Sequence, residues 1–208
     1  YQIPQYASDM VALIARLDVE TVHWVGTSMG GLIGMTLAGQ PQSPIAKLVL
    51  NDVGPRIDPA AVARIGEYVG RPIQFADLDQ ATDYITSISA SFGLRSREQW
   101  REITISALRA EGDHYVLHYD PALAVPFRSA TPESIAAGEA ALWRIYDAIP
   151  CPTLLLRGES SDLLSKQTAV EMTARGPRAR LIEVPGVGHA PMLFDPSQIA
   201  YVRNFLLD

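Results

Sequence analysis

Between Thr21 and Leu50 the chain reads strand, tight turn, helix, strand, and that order constrains everything around it. Thr21 to Val25 is a short β-branched and aromatic run stopped by Gly26. Met29 to Ala38 is helix-compatible and ends near Gly39 and Pro41. Ala46 to Leu50 is a second apolar strand and Thr153 to Leu156 a third. Both are continuous rather than alternating, as strands covered by helices on both faces tend to be. Arg180 to Val184 supplies a fourth. Ser8 to Leu17 gathers Met10, Val11, Leu13, Ile14 and Leu17 on one helical face, with Ser8 or Asp9 available as a cap. Thr168 to Ala174 is helical, and Gln198 to Leu207 closes the chain as an amphipathic helix. The alternation predicts an α/β chain with a mostly parallel sheet flanked by helices.

Roughly Pro55 to Ile149 breaks this rhythm. Ala60 to Val69, Leu78 to Ser89, Ser96 to Ala110 and Ser134 to Tyr146 read as helices joined by Gly and Pro punctuation, and no buried parallel strand stands out among them. An all-helical excursion between two sheet strands is a candidate lid. The expected organisation is therefore a core of residues 1–54 and 150–208, interrupted at 55–149 by a helical cap.

Composition narrows the partners. A chain of 208 residues has room for one substantial core with an inserted subdomain. Its formal charge of −6 and the lack of a Lys/Arg run argue against nucleic acid. Cys151 is the single cysteine, so no intrachain disulfide can form, and its place before an apolar strand reads as packing. His23, His114 and His118 lack the paired spacing of zinc ligands, so no metal is expected. No apolar stretch approaches the roughly 20 residues that cross a bilayer. The chain opens on Tyr1 and runs almost at once into a helix, so an upstream segment is expected, any signal peptide is out of view and the cytoplasm is the default compartment.

The chemistry centres on Gly26-Thr27-Ser28-Met29-Gly30, a G-x-S-x-G pattern between strand and helix. A serine on so sharp a turn stands exposed at the carboxyl edge of the sheet. Glycines on either side are expected because a Cβ there would strike the neighbouring strand and helix. The helix starting at Met29 aims its positive end at the site, so the Met29 N–H is the expected oxyanion donor. A serine hydroxyl needs a base to take its proton. His189, in Gly186-Val187-Gly188-His189-Ala190-Pro191 directly after the last strand, is the well-placed histidine. A carboxylate must then fix the histidine's tautomer. Arg157-Gly158-Glu159-Ser160-Ser161-Asp162 offers Asp162 as the expected acid and Glu159 as a surface or supporting carboxylate. Asp52, just after Ala46 to Leu50, is the rival acid, with loop capping before Gly54 and Pro55 as its other reading.

With GTSMGG around Ser28, RGESSDLLS around Asp162 and PGVGHAP around His189, in the order Ser, Asp, His, the chain resembles the α/β-hydrolase superfamily over nearly its whole length. The resemblance implies the α/β-hydrolase fold with a helical cap, a cofactor-free acyl transfer, and relatives that include esterases and carbon–carbon bond hydrolases. Ser28 disfavours the Asp-nucleophile branches. Such proteins begin with further strands that also supply a second oxyanion donor; the N-terminal half of that sheet is absent here, and an upstream segment or an edge-to-edge partner chain is expected to cover the exposed strand. The expected function is a serine hydrolase that cleaves a small-molecule ester or related acyl bond through Ser28, His189 and Asp162. The alternatives are a carbon–carbon hydrolase and a weakly catalytic ligand-binding protein on the same scaffold. The cap aromatics Tyr68, Phe75, Tyr84, Phe92, Trp100, Tyr115, Tyr119, Phe127 and Trp143 suit an apolar acyl or aryl group, although each is individually more typical of cap core.

Overall fold

The structure, a computed structural model, describes residues 1–129 and 131–208. In chain order the first elements are α1 (Ile3–Ala15), β1 (Val22–Thr27), α2 (Met29–Ala38) and β2 (Ile45–Asn51). Then come α3 (Pro59–Tyr68), β3 (Gln74–Phe75), α4 (Leu78–Ile88), α5 (Arg97–Ala107), β4 (Leu108–Glu111), β5 (His114–Leu117), α6 (Val125–Ser129) and α7 (Pro132–Asp147). The chain closes with β6 (Thr153–Gly158), α8 (Lys166–Ala174), β7 (Arg180–Val184) and α9 (Pro196–Leu207). α1 starts five residues before the expected Ser8 because Pro4 occupies its first turn, where a proline's missing N–H costs nothing and its φ is already helical.

The four long strands form one parallel sheet in the order β1-β2-β6-β7. This is the α/β-hydrolase arrangement of a parallel sheet between helices. Every residue of β6 is buried, which explains its unbroken apolar sequence. One face of the sheet packs Leu48, Leu50 and Leu155 against Met35, Leu37, Tyr146 and Met172. The buried Tyr146 hydroxyl there donates to Met172 O at 2.6 Å. The other face packs Val49, Leu154 and Leu156 against Tyr201, Val202 and Phe205 of α9. Among the described residues β1 pairs on one side only, with β2, and it alternates partly buried with exposed positions.

The stretch between β2 and β6 is not all-helical as expected. It carries a three-stranded antiparallel sheet in the order β3-β5-β4. The helix expected through Ala110 ends at Ala107, and Leu108–Glu111 instead folds back on His114–Leu117. The reversal passes through Gly112 at φ +64°, a left-handed conformation that glycine adopts without strain. Each strand is four residues or fewer and none is fully buried, so neither the length nor the apolar continuity of a buried strand marks them in the sequence. No helix of the described residues is long and apolar enough to cross a membrane.

Candidate active site

Parallel strands deliver their carboxyl ends to one rim. Thr27 pairs with Asn51, so the chain leaves β1 and β2 at the same level, while β6, whose Leu156 pairs with Asn51, runs two residues further to Gly158. Ser28 is the first residue beyond β1. Its backbone sits at φ 52° and ψ −121°, a region worth roughly 1–3 kcal/mol of strain for a residue with a side chain. Its N–H still donates to Asn51 O at 3.1 Å, which ties the turn to the sheet. A Cβ on Gly26 would lie 2.3 Å from Gly30 O, so the turn closes only over glycine. The expectation for Gly30 is corrected: a Cβ there would meet nothing within 4 Å. The second steric demand falls on Gly31, where a Cβ would stand 2.4 Å from Val53 Cγ1.

His189 lies in the loop after β7. Its Nε2 is 3.0 Å from Ser28 Oγ and its Nδ1 is 2.8 Å from Asp52 Oδ2. Asp52 is fully buried, and its other oxygen accepts the Gly158 N–H at 2.8 Å. Oδ2 also accepts the Ser161 hydroxyl at 2.6 Å. The expected acid, Asp162, is not in this cluster. Its side chain is 48% exposed and pairs with Arg64 Nη2 at 2.7 Å. The loop after β6 explains the correction. The buried Arg157 guanidinium donates to Leu164 O and Glu159 O, which holds the loop so that Ser161 faces inward. Asp162, one residue on, faces outward. Like Ser28, Asp52 is the first residue beyond its strand, and the two strands are neighbours.

A family model described as "Alpha/beta hydrolase family" matches residues 2–200. The chain belongs to the α/β-hydrolase family. This hydrolase is 57% identical over 209 residues to a 3-hydroxybutyrate-oligomer hydrolase of Cupriavidus necator, an alignment that covers 99% of this chain and 71% of that protein. It is 25% identical over 209 residues to a 2-(acetamidomethylene)succinate hydrolase of Mesorhizobium japonicum, again covering 99% of this chain and 71% of the relative. Among solved structures, an α/β hydrolase from Novosphingobium aromaticivorans superposes with a TM-score of 0.86 at 36% identity, covering 100% of this chain and 72% of that one.

Two residues of the hydrolase that sequence reasoning missed hold the histidine loop. Asn51 Nδ2 donates to Thr27 Oγ1 at 2.9 Å and to Pro191 O at 2.7 Å, which joins the serine turn to the segment after His189. Ser91, from the stretch between β2 and β6, accepts the Gly188 N–H at 2.7 Å through its carbonyl. Its hydroxyl donates to His189 O at 2.9 Å. Both contacts span long sequence separations and leave no local pattern. Glu159 accepts the Gly186 N–H at 2.9 Å, in keeping with its supporting reading.

Ser28 and Met29 border a cavity of about 550 Å³. Its wall is apolar and mostly aliphatic, with Leu32, Val53, Ile57, Ile65, Leu142 and Leu163 prominent, joined by the aromatic Tyr1, Tyr6 and Phe127. Of the cap aromatics expected to suit a substrate, Phe127 lines this cavity and the others do not. Phe75, Trp100 and Trp143 are buried in packing instead. Met29 opens α2, so its N–H falls in the first turn, where a helix has no internal acceptor for it. Among the described residues no group of three or more His, Cys, Asp or Glu side chains is placed to hold a metal ion.

Proposed function

We propose that this hydrolase cleaves carboxylic esters through an acyl-enzyme on Ser28, and that short 3-hydroxybutyrate oligomers are its substrates. The observation that carries the reading is the position of His189, within hydrogen-bond reach of both Ser28 Oγ and the buried Asp52 carboxylate, beside an apolar cavity. In this reading Ser28 Oγ attacks the ester carbonyl and its proton passes to His189 Nε2. Asp52 holds the Nδ1 proton and stabilises the imidazolium. The Met29 N–H and the positive end of α2 stabilise the developing oxyanion. Collapse expels the alcohol, which takes the proton back, and water then releases the acyl group by the same route. Residues 55–149 act as the cap that selects substrate, and through Ser91 they also touch the histidine loop. The substrate assignment is supported by the identity to the Cupriavidus hydrolase and by an apolar wall that accommodates short branched aliphatic units.

Incubation with linear 3-hydroxybutyrate trimer tests the proposal. The protein should release monomer over many turnovers. Ser28→Ala should lower the rate roughly 10⁶-fold and abolish labelling by a fluorophosphonate, with the fold unchanged. Retained activity in Ser28→Ala, or at most one equivalent of product from the unaltered protein, would overturn it.

A further inference from the structure

We infer that the cavity beside Ser28 is an acyl site built for an uncharged chain. In an oligomer of 3-hydroxybutyrate the hydroxyl-terminal half enters it and stays on Ser28, and the half bearing the free carboxylate remains outside and leaves first. The inference rests on the esterase reading and adds to it the direction in which the substrate lies.

The chemistry of the substrate class makes the two halves unequal. At any internal ester of such a chain, the acyl half carries the terminal hydroxyl and the alcohol half carries the terminal carboxylate. The cavity makes the same distinction. Among the described residues no Asp, Glu, Lys, Arg or His side chain lines it. The arginines of the neighbouring stretch are already engaged, Arg56 with Glu139 at 2.7 Å and Arg64 with Asp162 at 2.7 Å. Of the polar groups on its wall, Thr36 Oγ1 donates to Leu32 O and the Tyr1 hydroxyl to Asp120, while the buried Tyr6 hydroxyl has no hydrogen-bond partner. A carboxylate placed among these residues would lose its hydration and find no cationic side chain; the Tyr6 hydroxyl is a single neutral donor and does not offset the heavy penalty for an ion in an apolar site. The hydroxyl-terminal half carries no such charge. At about 550 Å³ the cavity lies within the usual range of ligand pockets and has room for more than one four-carbon unit.

The reaction then runs in a fixed sense. Ser28 Oγ bonds to the carbonyl carbon, the C–O bond to the alcohol half breaks, and that oxygen takes the proton from His189. The departing half carries its carboxylate into solvent without crossing the cavity. Water attacks the remaining acyl group and creates a second carboxylate at Ser28, where the cavity offers no cation to retain it, so deacylation and release go together.

Matched esters test the assignment with the unaltered protein. On the acyl side, 4-nitrophenyl hexanoate is compared with the mono-4-nitrophenyl ester of adipic acid, which differs by a terminal carboxylate. On the alcohol side, the butyryl ester of 3-hydroxybutyrate is compared with its methyl ester. The acyl-side charge should lower kcat/KM by at least about 100-fold, while the alcohol-side charge should change it by less than about 5-fold. Val62→Lys, which places a cation on the cavity wall, should recover at least about 10-fold on the adipate ester relative to the hexanoate. Equal penalties on both sides, or the larger one on the alcohol side, would overturn the inference and leave the esterase reading standing. Failure to turn over either neutral ester would overturn both.

Discussion

Asp52 and Asp162 stand on neighbouring loops at one rim of the sheet and meet opposite fates. Asp52 is fully buried and its two oxygens accept from Gly158 N, Ser161 Oγ and His189 Nδ1. Asp162 reaches outward to Arg64, in a pair whose partners are 39% and 48% exposed. Arg157 braces the loop after β6 into a shape that gives its inward position to a serine. The loop after β2 turns at once, with Asp52 itself at φ 56°, a conformation that Asp tolerates better than most residues. Asp52 reaches His189 because its backbone leaves the sheet beside Ser28, whatever the motif that contains it.

The comparison predicts a ranking of effects. Asp52→Asn should lower kcat/KM with a neutral ester by about 10⁴-fold, the scale found when a triad acid is replaced elsewhere. A loss below about 10-fold would break the assignment. Ser161→Ala removes a hydroxyl that donates to the Asp52 carboxylate and should cost about 10-fold in kcat with little change in KM, since hydrogen bonds to charged groups are worth about 1.5–3 kcal/mol. Ser161→Thr should restore most of that loss, and failure of this rescue would reduce Ser161 to a packing residue. Ser91→Ala should cost roughly 3- to 10-fold, because one hydrogen bond between the cap and the histidine loop is lost while the Ser91 carbonyl still accepts from Gly188. Asp162→Asn should change kcat/KM by less than about 3-fold and stability by no more than about 1 kcal/mol, as for other exposed ion pairs. Thermal unfolding and steady-state kinetics on the same preparation check it.

The two loops also show how far a sequence can be read. The strands Ala46 to Leu50 and Thr153 to Leu156 were legible because burial on both faces leaves an unbroken apolar run, and Ser28 was legible because Gly26 has to admit Gly30 O at the turn. His189 followed from the need for a base at a strand end. The acid did not follow, because RGESSDLLS and LNDVG both put an Asp shortly after a strand, and only the bracing by Arg157 decides which one points in. The hairpin of β4 and β5 was hidden for another reason: strands of four residues with half-exposed side chains repeat too few times to set a period. Asn51 and Ser91 act across long stretches of chain, through bonds that exist only once the sheet and the stretch between β2 and β6 have come together.

The central claim is that the proton on His189 Nδ1 is held by Asp52, and proton NMR observes that proton directly. A strongly hydrogen-bonded imidazole N–H protected from exchange resonates far downfield, and His189→Ala identifies the signal by its loss. The account predicts that the resonance is present in the unaltered protein, persists unshifted in Asp162→Asn, and is lost or moved well upfield in Asp52→Asn. A resonance that survives Asp52→Asn and disappears in Asp162→Asn would contradict it.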